Sequence, residues 1–119
     1  RKVDAGLIQD VIDGDLIPVI ASIGIGPDKN AVNVTADSFA SAVAVAMNAE
    51  KIIYLTNVNG LYRDFDDKTS LIPRISVNDA IKFLNSGTLS HGMIPKLKAA
   101  ITAVDERNIR TRTYPRTVY

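Results

Sequence analysis

Asp37-Ser38-Phe39-Ala40-Ser41-Ala42-Val43-Ala44-Val45-Ala46-Met47-Asn48 is followed, two residues on, by Lys51-Ile52-Ile53-Tyr54-Leu55-Thr56. The first run is rich in alanine and predicts a helix. Its small residues on several sides suit close packing against a sheet. The second is a short apolar run and predicts a strand buried on both faces, closed by a turn at Asn59-Gly60. Upstream, Leu16-Ile17-Pro18-Val19-Ile20-Ala21 has the same character and predicts another buried strand. Gly24, Gly26, Pro27 and Asp28 are turn residues, and Ala31 to Val34 reads as a second short strand paired across that turn. Downstream, Ser76 caps a helix to Leu84, with Asp79 in the capping-box position and Gly87 as its stop. Pro95 opens a last helix with Leu97, Ile101 and Val104 on one face. Strand, helix, strand, then helices is the order of an α/β domain with a mainly parallel sheet. Ligands in such sheets sit at the carboxyl ends of strands, here Ser22 to Gly26 and Thr56 to Gly60.

Composition sets the outer bounds. The 119 residues are 46% apolar and 23% charged, with a formal net charge of +1. That balance suits one globular core and argues against disorder. No cysteine is present, which excludes disulfides, Cys-ligated zinc, iron–sulfur clusters and a thiol nucleophile. The single histidine, His91, excludes a multi-His metal site. No apolar run reaches the ~18 residues of a membrane span, and no signal-peptide pattern opens the sequence. No membrane association and a cytoplasmic location are therefore expected. Charge is uneven: four arginines and no acid fall in residues 107–119, leaving 10 basic against 13 acidic side chains before them. A basic tail can contact nucleic-acid phosphates, but only Tyr114 stands among these arginines and no stacking platform accompanies it. Nucleic acid is not the expected partner.

Chemistry concentrates at two helix starts. Lys96 falls in the first turn of the last helix, where the helix dipole disfavours a cation. A lysine and free N–H groups at one helix start form an anion site, most naturally for phosphate. Position alone leaves open a solvated lysine. Asp37, at the start of the Ala-rich helix, suits simple dipole compensation and capping. It also suits a carboxylate that orients a lysine. Gly24-Ile25-Gly26 precedes a strand rather than a helix, so a hairpin turn accounts for it better than a phosphate loop. Asp64, Asp66 and Asp67 lack the glycine and terminal glutamate of a calcium loop and read as a solvated acidic loop.

Four segments in series carry a resemblance. Ile17-Pro18-Val19-Ile20-Ala21, Asn33-Val34-Thr35-Ala36-Asp37, Leu55-Thr56-Asn57-Val58-Asn59-Gly60 and Gly92-Met93-Ile94-Pro95-Lys96-Leu97 resemble the amino-acid kinase superfamily. Within it they look most like the acetylglutamate kinases of arginine biosynthesis. The last motif is shared more loosely with glutamate 5-kinase and carbamate kinase. The likeness runs from about Leu7 to Val104. It implies part of a three-layer α/β/α sandwich with a mainly parallel sheet: residues 1–106 would be the nucleotide-binding half, and 107–119 a basic tail of unassigned structure. It implies transfer of the ATP γ-phosphoryl group to the side-chain carboxylate of N-acetylglutamate. Magnesium would be held mainly by the nucleotide phosphates, with no protein metal ligand. Lys96 would stabilise the transferring phosphoryl group, Asp37 would organise the catalytic lysines, and Asn33 would hold the substrate α-carboxylate. Thr56, Asn57, Val58, Asn59, Gly60, Leu61 and Tyr62 resemble one nucleotide-binding segment; Thr88, Leu89 and Ser90 resemble a second. The full-length enzymes are expected to be homo-oligomers.

The departures are specific. Thr35 stands where the family usually has Asn, and Asn57 where Asp is usual. The family's opening strand, Lys, Gly-rich phosphate loop, Gly-Gly substrate loop and carboxylate-binding Arg do not occur in this sequence, so little turnover is expected of the chain alone. Past Asn108 the family continues into an apolar strand; Arg110-Thr111-Arg112-Thr113-Tyr114 does not read as one. Non-catalytic nucleotide binding, another superfamily member and a fragment acting by pairing with another chain are the alternatives.

Overall fold

A computed structural model describes residues 3–89, 92–107 and 109–115, with side chains described as far as Thr111. The order is α1 (Ala5–Asp13), β1 (Ile23–Ile25), β2 (Ala31–Asn33), α2 (Ala36–Ala46), β3 (Lys51–Thr56), β4 (Leu61–Tyr62), a 3-10 turn (Lys68–Ser70), β5 (Leu71–Ile72), α3 (Val77–Asn85), α4 (Met93–Arg107) and β6 (Arg110–Pro115). The chain is mixed α/β, with one parallel strand pair among the described residues. Among the described residues the strands form three two-stranded sheets: β1–β2 and β4–β5 antiparallel, β3–β6 parallel.

The core lies where β3 meets α2 and α4. Ala44, Ile52, Tyr54, Ala99, Ala103 and Ile109 form one buried cluster. Small residues let α2 and α4 approach closely, and the buried Ser41 Oγ donates to the Ala99 carbonyl at 2.9 Å to pin them. α2 ends with Asn48 in the left-handed region (φ 49°), which frees the Ala49 N–H to reach the Ala44 carbonyl at 2.9 Å. α3 begins as its sequence predicts. The Ser76 side chain accepts from the Asp79 N–H at 3.1 Å and donates to the Asp79 carboxylate at 2.7 Å. Gly87, at φ 75°, lies just beyond its end.

Three expectations are corrected. Leu16 to Ala21 forms no strand, and Ile17 and Val19 are 89% and 96% exposed. An apolar run becomes a buried strand only where neighbours pair with it, no described segment does so, and Pro18 lacks a donor. β3 is a strand, but it alternates: Ile52, Tyr54 and Thr56 are buried while Lys51, Ile53 and Leu55 are exposed. Helices cover one of its faces among the described residues, not both. Residues 110–115, read as part of a tail without a strand, pair in parallel with β3 from Lys51↔Arg110 to Thr56↔Pro115. Backbone hydrogen bonds need no apolar side chains, α4 supplies the crossover a parallel pair requires, and Ile109, 2% exposed, anchors the entry.

Candidate active site

Asp37 sits in the first turn of α2 and Lys96 in the first turn of α4. Packing of these two helices brings together residues 59 apart in sequence: Lys96 Nζ lies 2.8 Å from Asp37 Oδ1 and 3.1 Å from Oδ2. Both side chains are largely buried, 23% and 16% exposed. The α4 dipole works against an ammonium at this position, and the Asp37 carboxylate offsets that repulsion.

Tyr54 supports the pair from below. It is buried on β3, and its hydroxyl reaches the Asp37 carbonyl at 3.5 Å, a long hydrogen bond. Burial, and secondarily the Asp37 carboxylate, push the phenol up to about 12. Tyr54 is therefore a neutral donor at neutral pH that ties the start of α2 to the sheet. As a site residue it escaped the sequence reading, where it is one of the apolar run 51–56.

Lys96 also lines a cleft of about 620 Å³, together with Asn59, Gly60 and Leu61 from the turn after β3. That volume is the usual size of a small-molecule site. Gly60 is buried with φ 150°, a conformation that excludes most side chains. Leu71, Ile75, Leu97 and Ile101 make much of the wall apolar. Its charged lining is Lys96 and Arg74. Nothing in the sequence marks Arg74, which stands between a loop and a helix cap.

Among the described residues, none of the remaining sequence candidates lines this cleft. Thr56 is buried with its hydroxyl 3.4 Å from the Asn57 amide oxygen, and Val58 is half-buried. Tyr62 is buried under the 62–68 loop, edge-to-face with Phe65 at 6.1 Å, with the Lys68 ammonium 5.3 Å from its ring. Thr88 shares a 2.8 Å hydroxyl contact with Ser86, Leu89 is half-buried, and neither lines the cleft. Ser90 and His91 lie outside the described residues. Asn33 is the exposed last residue of β2, opposite Ile23. Asp64 and Asp67 accept hydrogen bonds within their own loop, including 3.0 Å from the Asp66 N–H and 2.9 Å from the Thr69 N–H. No three His, Cys, Asp or Glu gather as a metal cluster among the described residues. Nor is any described helix long and apolar enough to cross a membrane.

The α/β scaffold thus sets a carboxylate-held lysine beside a cleft of small-molecule size. The chain belongs to the Amino acid kinase family, which matches residues 1–112. It is 45% identical over 104 residues to the acetylglutamate kinase of Caldanaerobacter subterraneus subsp. tengcongensis, covering 87% of this chain and 35% of that protein. It is 38% identical over 105 residues to the acetylglutamate kinase of Methanopyrus kandleri, covering 88% and 43%. The chain thus spans well under half the length of these relatives. Among solved structures, the smu.665 protein of Streptococcus mutans UA159 superposes with a TM-score of 0.81 at 27% identity, over 97% of this chain and 49% of that one. N-acetylglutamate synthase from Neisseria gonorrhoeae, complexed with coenzyme A and N-acetyl-glutamate, shares the fold with a TM-score of 0.83 at 22% identity, over 97% and 26%.

Proposed function

We propose that this chain carries the nucleotide-binding part of an acetylglutamate kinase, which moves the ATP γ-phosphoryl group to the side-chain carboxylate of N-acetylglutamate. The observation that carries this reading is the Lys96–Asp37 pair beside the cleft lined by Asn59, Gly60 and Leu61. In the reaction, a carboxylate oxygen of the acceptor forms a bond to the γ-phosphorus. The bond from that phosphorus to the β–γ bridging oxygen breaks, and ADP leaves with the electron pair. The products are ADP and an acyl phosphate. Charge accumulates on the phosphoryl oxygens, so positioning and cationic stabilisation do most of the work. Asp37 holds the Lys96 ammonium in place, and the ammonium protons not engaged by the carboxylate are available to those oxygens. The apolar wall of the cleft suits an adenine ring. Magnesium arriving on the nucleotide phosphates supplies further neutralisation. Asn33 takes the acceptor's α-carboxylate; within residues 56–62, Asn59, Gly60 and Leu61 border the nucleotide in the cleft, and residues 88–90 approach it from outside that lining. The complete fold is a three-layer α/β/α sandwich in a cytoplasmic homo-oligomer.

Acceptor identity is tested by backbone amide NMR of the chain with millimolar N-acetylglutamate, glutamate and carbamate in turn. Shifts at Asn33 with N-acetylglutamate and not with the other two are expected. Equal response to all three, or none, contradicts the assignment.

A further inference from the structure

Arg74 is exposed, follows Pro73 between β5 and α3, and lines the same cleft as Lys96. The charges around this cleft balance unevenly. Lys96 is, among the described residues, the only other charged one in the lining, and its ammonium is matched by Asp37 at 2.8 Å. Asp79, close to Arg74 in sequence, does not line the cleft and is paired with Lys82 at 3.5 Å. Among the described residues no carboxylate pairs with Arg74. The uncompensated charge of the cleft among the described residues is therefore the Arg74 guanidinium, which stands at its solvent-exposed side beside a lining of mixed polar and apolar surface. The start of α3 at Ser76 and Val77 lines the cleft as well. The Asp79 carboxylate in the same first turn offsets its dipole.

We infer that Arg74 is a binding residue for the phosphate chain of the nucleotide, and that it sets the preference of the cleft for a nucleoside diphosphate or triphosphate over the bare nucleoside. This rests on the nucleotide-site reading above. Lys96 enters the cleft already partnered, and Arg74 adds a charge that no described carboxylate offsets. A guanidinium presents paired donors to phosphate oxygens, and such charge-assisted bonds are the strong ones.

The test is calorimetric titration of ADP, adenosine and inorganic pyrophosphate against the full chain and its Arg74→Ala, Arg74→Lys and Arg74→Glu variants, at low and moderate salt. Exposure of Arg74 makes all three substitutions compatible with the fold, which circular dichroism verifies. Arg74→Ala is expected to weaken ADP about five- to tenfold and to flatten its salt dependence. Adenosine binding stays unchanged, Arg74→Lys recovers part of the loss, and Arg74→Glu loses more than Ala. Pyrophosphate that follows the same order places the contact on the phosphates alone. ADP binding that is indifferent to Arg74, or equal losses for ADP and adenosine, overturns the inference while leaving the nucleotide site in place. No ADP binding by the unsubstituted chain overturns both.

Discussion

Lys96 and Asp37 each relieve a cost the other would bear alone. An ammonium in the first turn of α4 opposes the helix dipole, and a largely buried carboxylate without a cation is poorly solvated. Their effects on stability should therefore be non-additive. In urea unfolding, Lys96→Ala and Asp37→Ala should each destabilise the chain, and the double variant should lose less than the two together, a coupling of about 1 kcal/mol. Strict additivity would mean that the pair does not form in solution. Tyr54 reports on the same region. Its phenol is pushed up to about 12 in the folded chain, against the usual value near 10 when unfolded. The folded state thus favours the protonated form. This leaves stability unaffected well below pH 10 and lowers it between pH 10 and 12, as the unfolded phenol ionises first. The thermal midpoint should fall across that window, and Tyr54→Phe should flatten the fall. A Tyr54→Phe profile identical to that of the parent would contradict the assignment.

At the scale of elements, the α2–α4 contact sets the site geometry, because the two charged residues stand at the starts of these helices. Ala103 of α4 is fully buried in the core cluster, with Ala44 of α2 and Ala99 of α4 similarly small. Ala103→Leu should overpack this contact at a cost of about 1–3 kcal/mol, measured by chemical denaturation. It should also weaken nucleotide binding by moving Lys96. Retention of both would show that the helices are not close-packed. α2, α3 and α4 were legible in the sequence because composition, caps and periodicity all act locally. The strands were legible only in part. β3 announces itself by apolar content, yet its one-sided burial depends on which elements lie across it. β6 is the reverse case, a polar segment made a strand by the edge that β3 offers. Leu16 to Ala21 has the content of a strand and no partner to pair with. The site follows the same rule. Lys96 and Asp37 are ambiguous singly, and the resemblance joined them before their geometry did. Arg74 and Tyr54 stayed hidden because only tertiary packing puts them near the cleft and the pair.

Taken whole, the molecule presents more surface than a compact monomer of its length. Its accessible surface is 8844 Å², against roughly 6,300 Å² from the usual scaling. The radius of gyration is 15.7 Å, where roughly 13.5 Å is typical. Part of the excess is apolar: Ile17, Val19, Ile25 and Leu55 are more than 60% exposed. Apolar side chains left this exposed, together with the open edges of two-stranded sheets, favour association. In sedimentation velocity the average mass should rise with concentration, and Leu55→Lys should suppress the rise. A concentration-independent monomer would contradict this. Titration of ADP and magnesium–ATP against the chain and its Lys96→Ala variant tests the phosphate site at the start of α4 most directly. Saturable binding that Lys96→Ala weakens about tenfold or more is the predicted result. Binding of equal strength in both proteins would contradict the phosphate site at the start of α4.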